Sequence, residues 1–434
     1  MTRRQLVAWI NDSPVGILDE NGGIWSFTYA REWLANPQRY PLCPSLQLSD
    51  ETLLDQSTNR PVQWYFDNLL PEEGQRVLLA KEARVETADA FALLAYYGAE
   101  SAGSLTLLDP NHQPDASGAL HALTDQALGE RIRNLPKVAL TRGAFKRMSL
   151  AGAQHKLAVV LHEGELFEPE GQAPSTHILK PNHPDADYPH SAINEWYVMR
   201  LAKQLRLYVP EVHRRYVPEP LYIIDRFDRV GDISGCRRTH TLDACQLLGL
   251  DRLFKYSQGS IETLARLANE CRLQAAARSR LFGWLVFNLL VGNSDAHLKN
   301  LSFLTSHDGI QLAPFYDMLS IASYETRAFD KKGWPDNTQL AWPLLGETRF
   351  SGISRELLLE AGRNLNLGKA TATRLIDYLR NNILREADLL YAEVEAENRS
   401  LVETRPILAP CFEGEMRCLR TIRHAVISEM VGRF

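Results

Sequence analysis

Asn293-Ser294-Asp295-Ala296-His297-Leu298-Lys299-Asn300 is the stretch on which the reading of this chain turns. Directly before it, residues 281–291 are apolar nearly all round, the pattern of a helix buried on every side. Directly after it a short hairpin is expected: a strand over 301–305, the turn His307-Asp308-Gly309, a strand over 310–312, and then Phe315-Tyr316-Asp317. An Asp and an Asn five positions apart on one loop, followed by an Asp after the next hairpin, supply what phosphoryl transfer requires. One carboxylate stands at the attacking hydroxyl, and oxygen ligands hold magnesium on the phosphates. In this reading Asp295 orients or deprotonates the acceptor hydroxyl, Asn300 and Asp317 hold the metal, and Lys299 or His297 contacts the transferring phosphate. The spacing alone is common, and these residue types favour surface loops. The buried helix, the hairpin and the second Asp are what lift it above a plain loop.

Upstream of this loop the chain reads as three short strands, over 156–161, 166–168 and 176–180. A helix with Ile193, Trp196, Tyr197, Leu201 and Leu205 on one face follows, and then a strand over 221–225. That succession resembles the small lobe of a kinase. Ahead of its first strand stands Ser149-Leu150-Ala151-Gly152-Ala153-Gln154-His155-Lys156, where small residues let backbone N–H groups approach phosphate oxygens. Lys180, ending the third strand, is the candidate for the α and β phosphates, with Glu195 on the next helix as its candidate partner. Asp225-Arg226-Phe227 stands where an interlobe hinge offers backbone groups to adenine.

These residues together resemble the HipA family of toxin kinases, over nearly the whole chain. Ser149–Lys156 is similar to the family's S-V-A-G-A-Q-E-K loop, with Leu150 for Val and His155 for Glu. Asp225-Arg226-Phe227-Asp228-Arg229 resembles its E-R-F-D-R hinge, with Asp225 for Glu. Ser294–Asn300 resembles its D-G-H-A-K-N catalytic loop, and Phe315-Tyr316-Asp317 its F-Y-D. Phe66-Asp67-Asn68-Leu69-Leu70-Pro71 and Gly98-Ala99-Glu100-Ser101-Ala102-Gly103 look like signatures of the family's amino-terminal domain. The resemblance implies ATP contacts at Ala151, Gly152, Ala153, Gln154, His155, Lys156, Lys180, Asp225, Arg226, Phe227, His297, Leu298, Lys299, Asn300, Tyr316 and Asp317. It implies Asp295 as the catalytic aspartate and Ser149 as an autophosphorylation site. It also implies a protein substrate in translation, with an aminoacyl-tRNA synthetase favoured, and a small DNA-binding antitoxin as partner.

The fold expected is α+β. A small mixed α/β amino-terminal domain (1–110) and a linker (111–135) precede a bilobal protein-kinase-like domain, with a small lobe over 136–228 and a helical carboxy-terminal lobe over 229–434. Apolar residues at 45% and charged residues at 23% fit an ordinary soluble globular chain of 434 residues. A net charge of −5 argues against a chain that coats nucleic acid by itself, so DNA is expected only through the partner. No run of 18 apolar residues calls for a membrane, and the start runs into a strand rather than an export signal. The six cysteines form no C-x-x-C pair, so neither zinc nor a disulfide framework is expected, and the cytoplasm is the natural compartment. Two other readings compete: a small-molecule or lipid kinase with a related loop, and a non-enzymatic kinase-shaped regulator. The filled catalytic positions speak against the second.

Overall fold

Alternation of apolar and polar residues from Arg4 onward builds an antiparallel sheet. In a computed structural model describing residues 3–114, 117–148, 150–232 and 235–434, β1 (Arg4–Ile10) turns at Asn11-Asp12 into β2 (Ser13–Asn21) and on into β3 (Ile24–Tyr29). β4 (Leu53–Leu54) closes one edge and β5 (Leu105–Leu108) the other, in the order β4-β3-β2-β1-β5. Leu6, Ala8, Leu18 and Phe27 line its inner face. After the short α1 (Arg31–Ala35), helices α2 (Pro61–Asp67), α3 (Glu73–Ala83) and α4 (Ala90–Tyr97) follow, the last begun by the Asp89 carboxylate accepting from Ala92 N–H at 3.0 Å. Phe66 and Phe91 bring helix side chains against Phe27 and Trp25.

Where a linker was expected over 111–135, the described residues instead form β6 (Gly118–Ala122) and α5 (Asp125–Arg133). Pro110, Pro114 and Gly118 suggest a break, yet the five residues from Gly118 pair in register with β8 (Glu165–Gly171). β7 (Leu157–His162) pairs with β8 on one side and with β9 (His177–Pro181) on the other. Helix α6 (Ser191–Gln204) and the hairpin β10 (Val212–Tyr216) and β11 (Pro220–Asp225) come next. Beyond β12 (Arg229–Val230) and β13 (Arg237–Arg238), β14 (His240–Asp243) runs into α7 (Ala244–Leu248) through an Asp243–Gln246 capping box. Then come α8 (Ile261–Glu270) and α9 (Gln274–Leu290), whose residues from Leu281 on are all buried. The hairpin β15 (Ser302–Ser306) and β16 (Gly309–Leu312) pairs with β14.

The chain divides into two compact units, each discontinuous in sequence. One holds residues 1–180, 225–255 and 302–313; the other holds 181–224, 256–301 and 314–434. The second unit is built on α6, α9 and a 36-residue helix, α10 (Lys369–Thr404). Its buried residues Ala372, Ile376, Leu379, Ile383, Ala387, Leu390 and Val394 recur every three or four positions. Tyr197 on α6 donates its hydroxyl to the Ala387 carbonyl at 2.6 Å.

The first unit is tied by a buried charge cluster. Glu100, 1% exposed, accepts from Arg229 at 2.7 Å and Arg226 at 3.2 Å through Oε1. Through Oε2 it meets Lys146 at 2.9 Å and Arg238 at 3.0 Å. Asp228 joins through Arg226 at 2.7 Å and accepts from Gly103 N–H at 2.7 Å. Four cations thus face two carboxylates, and backbone carbonyls of Ser101, Gly103, Ala173 and Ser175 take the remaining donors. Burial alone would raise the Glu100 carboxyl, but Lys146, Arg229, Arg238 and Arg226 hold it well below the usual carboxylate range. Removing the hub leaves buried cations without their counter-charge. Glu100→Ala should therefore lose about 3–5 kcal/mol of stability in denaturant titration. A variant as stable as the parent would show that the cluster does not hold this unit together.

Candidate active site

The loop leaving α9 is set by a relay of asparagines. Asn288 Nδ2 donates back to the Trp284 carbonyl at 2.8 Å, Asn293 Nδ2 donates to Asn288 Oδ1 at 2.8 Å, and Asn293 Oδ1 accepts from Asp295 N–H at 3.1 Å. Gly292 makes the turn possible with φ +64°. A Cβ there would come within 2.6 Å of Val426 Cγ1 and 2.7 Å of Ala322 Cβ. The loop ends in a single 3-10 turn, Leu298–Asn300.

That turn meets the segment carrying Asp317 within the same unit. Asn300 Nδ2 donates to Asp317 Oδ2 at 3.1 Å, and the Tyr316 hydroxyl donates to the Lys299 carbonyl at 2.9 Å. Asn300 Oδ1 is buried with no hydrogen-bond partner among the described residues. A buried amide oxygen without a donor, beside a carboxylate, suits an oxygen-seeking divalent cation. Asp317 itself has φ +57°, a conformation only the surrounding structure holds for a non-glycine residue. Part of that hold comes from α6. Asn194 Oδ1 accepts from Ser320 N–H at 2.8 Å while its Nδ2 donates to the Ser320 carbonyl at 3.0 Å. Asp295 is half-buried, and the Tyr256 hydroxyl donates to its Oδ1. His297 packs edge-on against the Tyr256 ring, with centroids 5.0 Å apart. Leu298 is fully buried and supports the turn.

The other expected positions lie in the first unit. Gly152 has φ +108°, and Lys156 Nζ reaches across it to the Ala151 carbonyl at 2.6 Å. The Gly152 carbonyl accepts from Glu72 N–H at 3.2 Å, and Pro71 bridges to Gly152. Ala153 is exposed, Gln154 half-buried, and His155, the departure from the family's Glu, is buried. Ser149 lies outside the described residues. Lys180 is 6% exposed, so it is a buried ammonium rather than a solvated strand end. Glu195, its candidate partner, is buried on α6 in the second unit. Asp225 pairs with His177 at 3.0 Å. The Arg226 side chain is committed to the Glu100 cluster, and its N–H donates to the Thr176 carbonyl at 2.9 Å. The Arg226 carbonyl in turn accepts from Arg229 N–H at 3.3 Å, and Phe227 is half-buried. The sequence did not point to Tyr256, Asn194 or Asn288. They act through side-chain hydrogen bonds to residues fixed by the fold, which leave no periodic trace.

Two family models match the chain: the HipA N-terminal domain over residues 6–108 and the HipA-like C-terminal domain over 148–386. The chain belongs to the HipA family. It is 30% identical to the serine/threonine-protein kinase toxin HipA of Shewanella oneidensis, over 81% of this chain and 84% of that one. It is 37% identical to the Sinorhizobium fredii protein Y4mE, which is named as a kinase, over 75% of this chain and 79% of that one. A solved Shewanella oneidensis MR-1 structure of HipA with HipB and operator DNA superposes with a TM-score of 0.76 at 24% identity. That match covers 98% of this chain and 99% of that one, and it shows the fold: an amino-terminal domain followed by a kinase-like domain. The HipA-family chain described here is accordingly a serine/threonine protein kinase.

The loop geometry makes a direct test possible. An L-residue at Gly292 has to adopt a left-handed backbone and displace Val426 and Ala322. Gly292→Ala should cost about 1–3 kcal/mol in denaturant titration from the strained backbone alone, and should lower phosphoryl transfer because Asp295 moves with the loop. Unchanged stability and transfer would show that the turn tolerates a side chain.

Proposed function

We propose that this chain transfers the γ-phosphoryl group of ATP to a serine or threonine of a protein in translation, acting as the toxin of a toxin–antitoxin pair. The observation that carries the mechanism is the Asn300–Asp317 pair at 3.1 Å with Asn300 Oδ1 buried and unbonded, one turn from Asp295. Asn300 and Asp317 would hold magnesium, which when bound neutralises charge on the phosphates. Asp295 takes the acceptor's proton as its oxygen bonds to the γ phosphorus and the bond to the β–γ bridging oxygen breaks, releasing ADP. Lys299, buried on the same turn, or His297 would contact the transferring phosphate. In this reading the small residues around Gly152, with Lys156 and the buried Lys180, would serve the phosphates, and Asp225–Phe227 the adenine.

The family membership supports an aminoacyl-tRNA synthetase as substrate class, the cytoplasm as compartment, and Ser149 as an autophosphorylation site. Among cations near Ser149 in sequence, Lys146 is held by Glu100 and Arg147 lies over the Tyr96 ring at 4.0 Å. The solved relative's HipB and operator DNA support a small DNA-binding partner here, in keeping with a net charge of −5. Among the described residues no helix is long and apolar enough to cross a membrane.

Asp295→Asn and Asp317→Asn should each reduce transfer of label from ATP into lysate protein by at least about 100-fold. Asp317→Asn should also weaken Mg-ATP binding, while Asp295→Asn should leave it nearly intact. Wild-type rates in either variant would overturn the mechanism, and label entering only small molecules or lipid would favour the rival kinase class.

Growth supplies a second readout. Expression of the parent should arrest growth, Asp295→Asn should not, and co-expression of the DNA-binding protein encoded beside it should relieve the arrest. Equal arrest by parent and variant would make toxicity independent of phosphoryl transfer.

A further inference from the structure

The carboxylate assigned to the acceptor hydroxyl is not left to solvent. Tyr256 sits on the turn before α8, where its carbonyl accepts from Gly259 N–H at 2.9 Å. That turn is fixed from two sides. Ser260 Oγ accepts from Thr263 N–H at 3.1 Å as the cap of α8, and Thr263 Oγ1 donates to the Gln258 carbonyl at 2.6 Å. The buried face of α8, formed by Ile261, Leu264, Leu267 and Ala268, packs on α9, and α9 leads into the loop of Asp295. Tyr256 and Asp295 therefore hang from the two outer ends of one packed helix pair in the same unit.

The Tyr256 side chain touches two residues of that loop. Its hydroxyl donates to Asp295 Oδ1, and its ring meets His297 at an interplanar angle of 78°. The residue is 39% exposed, so little apolar burial is gained by placing the ring there. A donor held on a rigid turn fixes the orientation of the carboxylate oxygen that it bonds.

We propose that Tyr256 is a positioning residue of phosphoryl transfer, orienting the Asp295 carboxylate through its hydroxyl toward the acceptor serine or threonine. This rests on the reading of Asp295 as the catalytic aspartate. It adds a specific consequence: the hydroxyl acts on the chemical step and not on nucleotide binding.

The test compares the parent, Tyr256→Phe and Asp295→Asn as full-length chains. Label transfer from ATP into lysate protein is measured over a dilution series of lysate, together with Mg-ATP affinity and melting temperature. Tyr256→Phe should lower the maximal rate roughly 5- to 20-fold, with the half-saturating lysate amount, Mg-ATP affinity and melting temperature unchanged within about twofold or a degree. A parental maximal rate would overturn the proposal. A raised rate would also overturn it, because the phenol would then be occupying the acceptor's place. A loss accompanied by weaker nucleotide binding or a lower melting temperature would make the role merely structural. If Asp295→Asn itself keeps the parental rate, the assignment of Asp295 fails, whatever Tyr256→Phe does. If only Tyr256→Phe keeps it, Asp295 stands and Tyr256 does not.

Discussion

A single buried carboxylate, Glu100, organises the first unit. A lone ionised group in a protein interior is unfavourable, and four lone cations would be more so; together they are tolerable because each satisfies the others. The cations come from distant stretches of chain: Lys146 just before the phosphate loop, Arg226 and Arg229 in the hinge, and Arg238 on β13. Glu100 itself comes from the Gly98–Gly103 signature of the amino-terminal domain. The positive excess has a consequence of its own. Burial, together with Arg238 and Arg229, outweighs Glu100 and pushes the Lys146 ammonium below its ordinary range. Glu100 and Asp228 do not satisfy every donor of the four cations, and backbone carbonyls take the rest.

In the second unit the same problem is solved with neutral groups. The loop of Asp295 and Asn300 and the segment of Asp317 are held without an ion pair among these hydrogen bonds. Asn288, Asn293 and Asn194 supply donors and acceptors to the backbone at no electrostatic cost. The two units thus use opposite chemistries for positioning: ion pairs around Glu100 in the first, and amides around Asp295 and Asp317 in the second.

Much of the scaffold was legible because periodicity reports burial. Strand β11 covers its expected residues, 221–225, and the apolar run from 281 forms the last turns of α9, since both are decided by which faces are apolar. The Asp295, Asn300 and Asp317 constellation was legible because spacing and flanking elements coincide. The 36-residue α10 was not singled out, although its apolar stripe recurs regularly, because it lies in a stretch read only as mostly helical. β6 was hidden by prolines and a glycine: its stability comes from pairing with β8, a partner more than forty residues on, which no local pattern reveals. Arg226 was read for its backbone, and its side chain's commitment to Glu100 depends on residues 126 positions apart.

The sequence signatures of the amino-terminal domain take on meaning through what they touch. Pro71, at the end of one signature, forms a backbone bridge with Gly152, and Glu72, the next residue, donates its N–H to the Gly152 carbonyl. Glu100 and Gly103, in the other, hold Arg226, Asp228 and Arg229 of the hinge. His240 on β14 reaches the Leu42 carbonyl at 2.8 Å and Ser104 Oγ at 3.1 Å, and its burial depresses its pKa to about 4, so it serves there as a neutral hydrogen-bonding group. The segments around Gly152 and Arg226 are thus fastened to the domain that precedes them. Parting them would expose the Glu100 cluster, whose cations and carboxylates are tolerable in the interior only together. The signatures of the amino-terminal domain therefore describe contacts with the residues that follow as much as that domain's own fold.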